Sequence, residues 1–366
     1  MERTNKKELV GIVSENHVEL IERVPLSAQM KRKLLKPILE KKEYDGNFGT
    51  IISTGSTLLD LNISGGRVRG GGLPGGIFIE AFGPNGSGKT VLLSEIAGAV
   101  QRQKGEVMFH DPEARLNKQF AQIFGLNLKD ENYKTPNTVT QVFKEVRAWE
   151  VPKKKNLIHG IFADSLAALS TDMEMEKEDG DKMGMRRAKE FSEELRKTCR
   201  IITEKNYLMV CSNQVRVNVD PMSYQKYTTP GGESVGFYAS LRLRFNKPEK
   251  IKLKKTIAGK ETFRIIGVEV EVEVFKSSIW KPYHTAPLYI LFDYGIDDIR
   301  ANLQYVKENT KGTVYAVNET ELDKGMETSI KMVEEQGLTA ELKEQVIDLW
   351  ESIEAKFQTE RKPKQR

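Results

Sequence analysis

The sequence predicts an α/β protein with a mostly parallel central sheet. Four runs, "GIFIEAFG", "EVMFHD", "HGIFADS" and "YLMVCSNQ", are almost continuously apolar, as strands buried on both faces must be. Amphipathic helical stretches such as Val91 to Gln103 lie between them, the order that stacks helices on both sides of such a sheet. A later run, "GVEVEVEVF", sets Val268, Val270, Val272 and Val274 on one face against Glu269, Glu271 and Glu273 on the other. Strict alternation of this kind marks a half-exposed strand, expected to pair antiparallel.

Taken in order, residues 1–48 read as a helical N-terminal segment. Met30, Leu34, Leu35 and Ile38 recur at helical spacing among Lys31, Arg32, Lys33, Lys36, Lys41 and Lys42, which gives either a solvated charged face or a basic arm for a partner. Pro37 ends or kinks that helix. Residues 49–297 carry the strand and helix alternation. Within them "NKPEKIKLKKTIAGK" is a basic hairpin, either solvated or in contact with a partner. Residues 298–366 form a small C-terminal α/β domain with two final helices, in which Leu342, Val346, Leu349 and Ile353 make a core stripe, followed by the basic tail "RKPKQR".

At 366 residues the chain suits one large domain with appendages, or two to three smaller ones. Hydrophobic residues at 39% against 30% charged exclude a disordered chain. The net charge of +5 comes from 57 basic and 52 acidic side chains, so a polyanionic partner is permitted and only charge placement can argue for it. Cys199 and Cys211 stand apart from any C-x-x-C or His-rich pair; a reducing compartment is expected, with neither a zinc site nor a disulfide framework. No stretch has signal-peptide or membrane-span character, so the expected location is the cytoplasm, without a membrane partner.

"EAFGPNGSGKTVL" matches G-x-x-x-x-G-K-[ST] between an apolar strand and a helix. Gly83, Pro84, Asn85, Gly86, Ser87 and Gly88 would wrap backbone N–H groups around phosphate oxygens at the positive end of the helix. Lys89 would reach the β- and γ-phosphates of ATP, and the Thr90 hydroxyl would ligate Mg²⁺. Asp164, at the end of "GIFADS", is delivered to the carboxyl edge of the sheet as the second Mg²⁺ group; a capping role at a strand-to-helix turn is the alternative. Asp111 and Glu113, after "VMFHD", are both placed to orient the attacking water. Nothing in the residues chooses between those two.

These motifs, with "IISTGSTLLDLNISGG", "SLAAL", "MGMRRAKEF" and "NQVRV...TTPGGESVGFYASLRL", together resemble the RecA family of homologous-recombination ATPases from about residue 50 to about 297. The resemblance implies a RecA-like P-loop NTPase core. It makes Glu113 the water-activating residue, Phe120 an adenine-stacking ring, and Asn117 a reader of the base edge beside the nucleotide. Gln214 becomes a sensor of the γ-phosphate. Lys276 reaches the ATP of the neighbouring subunit, and Phe237 docks on that neighbour.

The polar segment after Gln214 is similar to the second DNA-binding loop of the family, with Arg216, Met222, Tyr224, Tyr227, Gly231 and Gly232 as DNA contacts. "EMEKEDGDKMGMRR" would be the first DNA loop, with Met183, Gly184, Arg186 and Arg187 toward DNA and the acidic run facing away. Two departures stand out. Ser278 occupies the place of a second trans-acting lysine, so that either Lys281 compensates at the interface or hydrolysis relies on one lysine, and the chain ends basic where bacterial members often end acidic. The function implied is a DNA-dependent ATPase and recombinase. It would form a helical homo-oligomeric filament on single-stranded DNA, and pair and exchange it with homologous double-stranded DNA in recombination and repair. A hexameric helicase on the same core is the alternative.

Overall fold

The computed structural model describes residues 49–152, 157–176, 183–217, 227–310 and 312–361. The expected N-terminal helix, Met222 and Tyr224 lie outside these residues. In chain order the elements begin with β1 (Ile51–Ile52), α1 (Thr57–Asp60), β2 (Leu73–Pro74), β3 (Ile77–Gly83), α2 (Lys89–Arg102), β4 (Val107–His110), α3 (Lys118–Ile123), β5 (Tyr133–Lys134), α4 (Val139–Ala148) and β6 (His159–Ala163). They continue with α5 (Asp172–Glu176), α6 (Met183–Glu204), β7 (Tyr207–Gln214), β8 (Arg216–Val217), β9 (Tyr227–Thr228), α7 (Glu233–Tyr238), β10 (Leu241–Phe245), β11 (Glu249–Ile257) and β12 (Lys260–Ser277). The last are β13 (Thr285–Leu291), β14 (Gly295–Ile296), α8 (Asp298–Asn309), β15 (Ala316–Val317), β16 (Thr320–Glu321), α9 (Met326–Glu335) and α10 (Thr339–Lys356).

One sheet runs in the order β14-β13-β12-β10-β3-β7-β6-β4-β5, with β11 paired to β12. Strands β10, β3, β7, β6, β4 and β5 are parallel neighbours, and β12, β13 and β14 extend the sheet antiparallel. The parallel strands are apolar throughout because successive side chains feed two separate cores. Ile79, Ala81, Leu208, Val210 and Phe109 enter one core with α2 and the C-terminal helices. Phe78, Met209, Cys211, Met108 and Ile161 enter the other with Phe143 of α4 and Leu195 of α6.

The valine run of β12 behaves as its alternation predicts. Val270, Val272 and Val274 are buried, while Glu271 accepts from Asn246 Nδ2 at 2.8 Å and Glu273 pairs with Arg244. The basic hairpin is β11 with the first part of β12, and β11 is an edge strand. Lysines along such an edge discourage pairing with another chain.

The C-terminal helices share the first core. Its stripe on α10 is Leu342, Val346, Ile347 and Trp350, so Leu349 and Ile353, expected inside, are half-buried. The helix turns to bring the larger Trp350 ring inward, where its Nε1 donates to Asn62 Oδ1 at 3.2 Å. On the neighbouring face, Arg69 bonds Glu344, Asp348 and Glu351 at 2.7–3.0 Å.

Asp60 ends α1, fully buried, and accepts from Ser53 Oγ, Thr54 N and Thr54 Oγ1 at 2.5–2.8 Å. Burial outweighs these donors and lifts its carboxyl from 3.8 to about 6. The folded state therefore keeps a proton that the unfolded chain releases first. The stability from this group is complete below about pH 4, and is lost as pH rises through about 6, an effect of at most about 3 kcal/mol. Asp60→Asn should remove this component, flattening the pH dependence of Tm in that window; an unaltered slope would contradict it.

Candidate nucleotide site

Parallel pairing brings the ends of β3, β7, β6 and β4 to one edge. Gly83 stands opposite Gln214, Ala163 opposite Cys211, and His110 opposite Ala163. The phosphate-loop motif, Gln214, Asp164 and Asp111 thus leave the sheet side by side, where open α/β sheets bind ligands.

Residues 84–88 turn from β3 into α2. Gly88 caps that helix with φ 88°, a left-handed conformation in which a side chain would be strained. Ser87 Oγ donates to Pro84 O at 2.8 Å and braces the loop, and Asn85 and Gly86 are exposed at its tip. Lys89, the first residue of α2, curls back so that Nζ donates to Gly83 O at 3.0 Å and Pro84 O at 2.7 Å. Burial lowers its ammonium pKa and nearby Asp164 opposes that shift. The result is a buried cation at the mouth of a helix N-terminus, an arrangement suited to phosphate.

Thr90 Oγ1 donates to Asp164 Oδ2 at 2.6 Å, and Ser212 Oγ of β7 donates to Asp164 Oδ1. A hydroxyl donating to a carboxylate at this distance forms an oxygen pair of the kind Mg²⁺ takes alongside nucleotide phosphates. Among the described residues no cluster of three His, Cys, Asp or Glu side chains competes as a metal site. The donors present fit the ion the sequence implies.

Asp111 and Glu113 differ in surroundings. Asp111 is buried and its Oδ2 accepts from Leu116 N and Tyr133 Oη, each at 2.7 Å. It shapes the turn between β4 and α3, a scaffolding contact not anticipated for a residue expected beside the nucleotide or its attacking water. Glu113 sits on that turn, paired at 2.7 Å with exposed Arg115. Asn117 Oδ1 caps α3 by accepting from Gln119 N and Phe120 N. Phe120 is 38% exposed, and its ring packs perpendicular to that of Phe124 with centroids 4.7 Å apart.

The remaining expected residues fall into two groups. Arg216 and Tyr227 lie on β8 and β9, which pair antiparallel and close the base of the segment after Gln214. Gly231 and Gly232 lead into α7, whose Phe237 is 76% exposed. Lys276 Nζ donates to Gly236 O and Phe237 O, each at 2.9 Å. Lys281 lies over the Trp280 ring and 3.6 Å from Glu354 of α10. Ser278 Oγ donates to Ser240 O at 3.0 Å.

Met183, Gly184 and Arg186 open helix α6, within the stretch expected as the first DNA loop. Arg187 is 3.4 Å from Glu174, so the first acid of the run expected to face away from DNA is held in an ion pair with an arginine expected to contact it. An arginine half-buried against the Ala167 carbonyl draws in the nearest carboxylate.

Sequence reasoning passed over Glu80 and Arg242. Glu80 is fully buried inside β3 and accepts from Arg242 Nε at 2.6 Å and Asn213 Nδ2 at 2.9 Å. The signal was available in "FIEAF", because a carboxylate inside a two-faced buried strand requires a partner.

Comparison with known proteins agrees with this architecture. The family model described as the RecA N-terminal domain matches residues 5–297. "Protein RecA" of Delftia acidovorans is 32% identical over 305 residues, covering 81% of this chain and 78% of that one. "Protein RecA" of Pseudomonas fluorescens is 30% identical over 326 residues, covering 87% and 88%. "Protein RecA" of Borrelia hermsii is 31% identical over 296 residues, covering 80% and 79%. No helix among the described residues is long and apolar enough to cross a membrane. With its fold, its phosphate-loop edge and these relatives in agreement, the chain belongs to the RecA family.

Proposed function

We infer that the protein is a DNA-dependent ATPase and recombinase of the cytoplasm, assembling as a filament on single-stranded DNA and exchanging it with a homologous duplex. The observation that carries this reading is the pairing of Gly83 with Gln214 across β3 and β7. It sets the Gln214 amide, taken here as the phosphate sensor, beside the phosphate loop and at the root of the segment proposed to grip DNA.

In this reading Lys89 leaves the carbonyls of Gly83 and Pro84 for the β- and γ-phosphates of ATP. Thr90 and Asp164 hold Mg²⁺, which neutralises charge on the phosphate oxygens. Glu113 orients and deprotonates the attacking water. Phe120 stacks on adenine, and Asn117 faces the base edge. Gln214 meets the γ-phosphate and passes its presence to the DNA segment, in which Arg216, Tyr227 and the Gly231–Gly232 backbone contact the strand together with Met222 and Tyr224. Arg186, at the start of α6, supplies a further charge, while Arg187 would first have to part from Glu174. Phe237, exposed on α7, docks on the neighbouring subunit, and Lys276 acts from that boundary. Lys281, beside Glu354, needs release before it can serve the same ATP. Residues 1–48 serve polymerisation, 49–297 form the ATPase core and 298–366 the C-terminal domain.

ATP turnover measured with Mg²⁺ should rise about tenfold or more on adding single-stranded DNA, the scale typical of coupling between two sites; equal turnover with and without DNA would refute the reading. Glu113→Gln should lower DNA-stimulated kcat roughly 10²- to 10³-fold while DNA affinity persists. Wild-type turnover in that variant would remove Glu113 from the chemistry.

A further inference from the structure

The nucleotide chemistry leaves Glu80 unused, yet a lone buried carboxylate costs several kcal/mol unless it is paired and hydrogen-bonded. Strand register explains how it is satisfied. Lys276 of β12 stands opposite Arg242 of β10, and Arg242 opposite Glu80 of β3. Asn213 follows two residues after Cys211, the partner of Glu80 on β7, so its side chain shares the face of Glu80. Four neighbouring strands thus carry one lateral polar row.

The row holds both ends of the segment 230–237. At one end Asn213 Oδ1 accepts from Gln214 N, and its Nδ2 donates to Glu80 Oε1 and to Pro230 O, at 2.9–3.0 Å. At the other end Lys276 Nζ donates to the carbonyls of Gly236 and Phe237. Between them Arg242 donates to Glu80 Oε2 at 2.6 Å and lies over the Phe82 ring at 4.4 Å. Helix α7 rests directly on this guanidinium. A Cβ added at Gly236 would stand 2.8 Å from Arg242 Nη1. Glu80 is the anion that lets two cations, Arg242 and Lys276, sit together beneath the segment.

We propose that Glu80 is a positioning residue: by holding Asn213 and Arg242 in one row, it makes the Gln214 end of β7 and the Phe237-bearing helix move as a unit. This assignment rests on the reading in which Gln214 links nucleotide to DNA, and it adds the route from that amide to the exposed docking surface. Without the carboxylate, Asn213 and Arg242 lose their common acceptor and the two cations repel.

Two variants test it. Glu80→Gln keeps the side-chain size and removes the charge, and Asn213→Ala is the milder change should the first fail to fold. In each, DNA stimulation of ATP turnover should fall about tenfold, with DNA-independent turnover at the wild-type value. The double variant should be no worse than either single one, as members of one network are not additive. Full stimulation in both variants would overturn the proposal. So would a parallel loss of Tm, DNA-independent turnover and stimulation, the mark of a merely structural role. Amide hydrogen exchange over residues 228–238 of the DNA-free protein separates this question from the function itself. If the wild type shows no response to DNA, the functional reading falls alone. Faster exchange in both variants then supports the row, and unchanged exchange overturns it.

Discussion

Adjacent strands β3 and β7 end level with each other, and the rest of the site depends on that alignment. Gly83 opposite Gln214 is fixed by a continuous parallel ladder running back to Ile77 opposite Leu208. A slip of one residue would turn every side chain of β7 to the opposite face. Tyr207 and Met209 would then enter the core that holds Leu208 and Val210, and two packed layers would fail together. The relation between the phosphate loop and the amide at the end of β7 is therefore as rigid as the sheet.

Polar groups near this edge are placed by the same ladder. Asp164 follows β6 and meets Thr90 from the loop helix on one side and Ser212 from β7 on the other. Glu80 lies one layer deeper, between β10 and β7. Apolar residues of similar size could fill the space around Glu80 at no loss of stability. A carboxylate there is better explained by what it arranges, since its partners reach Pro230 and Gln214 through Asn213. The buried sheet supplies the rigidity, and the segment beyond Gln214 receives it through a few hydrogen bonds.

Much of this was legible in the sequence where chemistry is local. The phosphate-loop motif, Asp164 after an apolar strand and the alternating valines of β12 each lie within a dozen residues. Features made by long-range pairing were not. Glu80 and Arg242 are 162 residues apart, so the apolar run around Glu80 shows that a partner is needed without showing which residue supplies it. The Arg187 pairing with Glu174 depends on how α6 packs, which spacing alone does not encode. The stripe on α10 was displaced because Trp350 outweighs Leu349 in the area it can bury. Met222, Tyr224 and the basic N-terminal segment fall outside the described residues.

The account stands on the γ-phosphate being felt at Gln214 and transmitted to the segment that ends at Pro230. Amide hydrogen exchange of residues 227–234, compared between Mg²⁺–ATP-analogue and Mg²⁺–ADP complexes, measures this directly. The account predicts slower exchange with the triphosphate than with the diphosphate, and no such difference in Gln214→Ala. Equal protection by the two nucleotides in the wild type would contradict it.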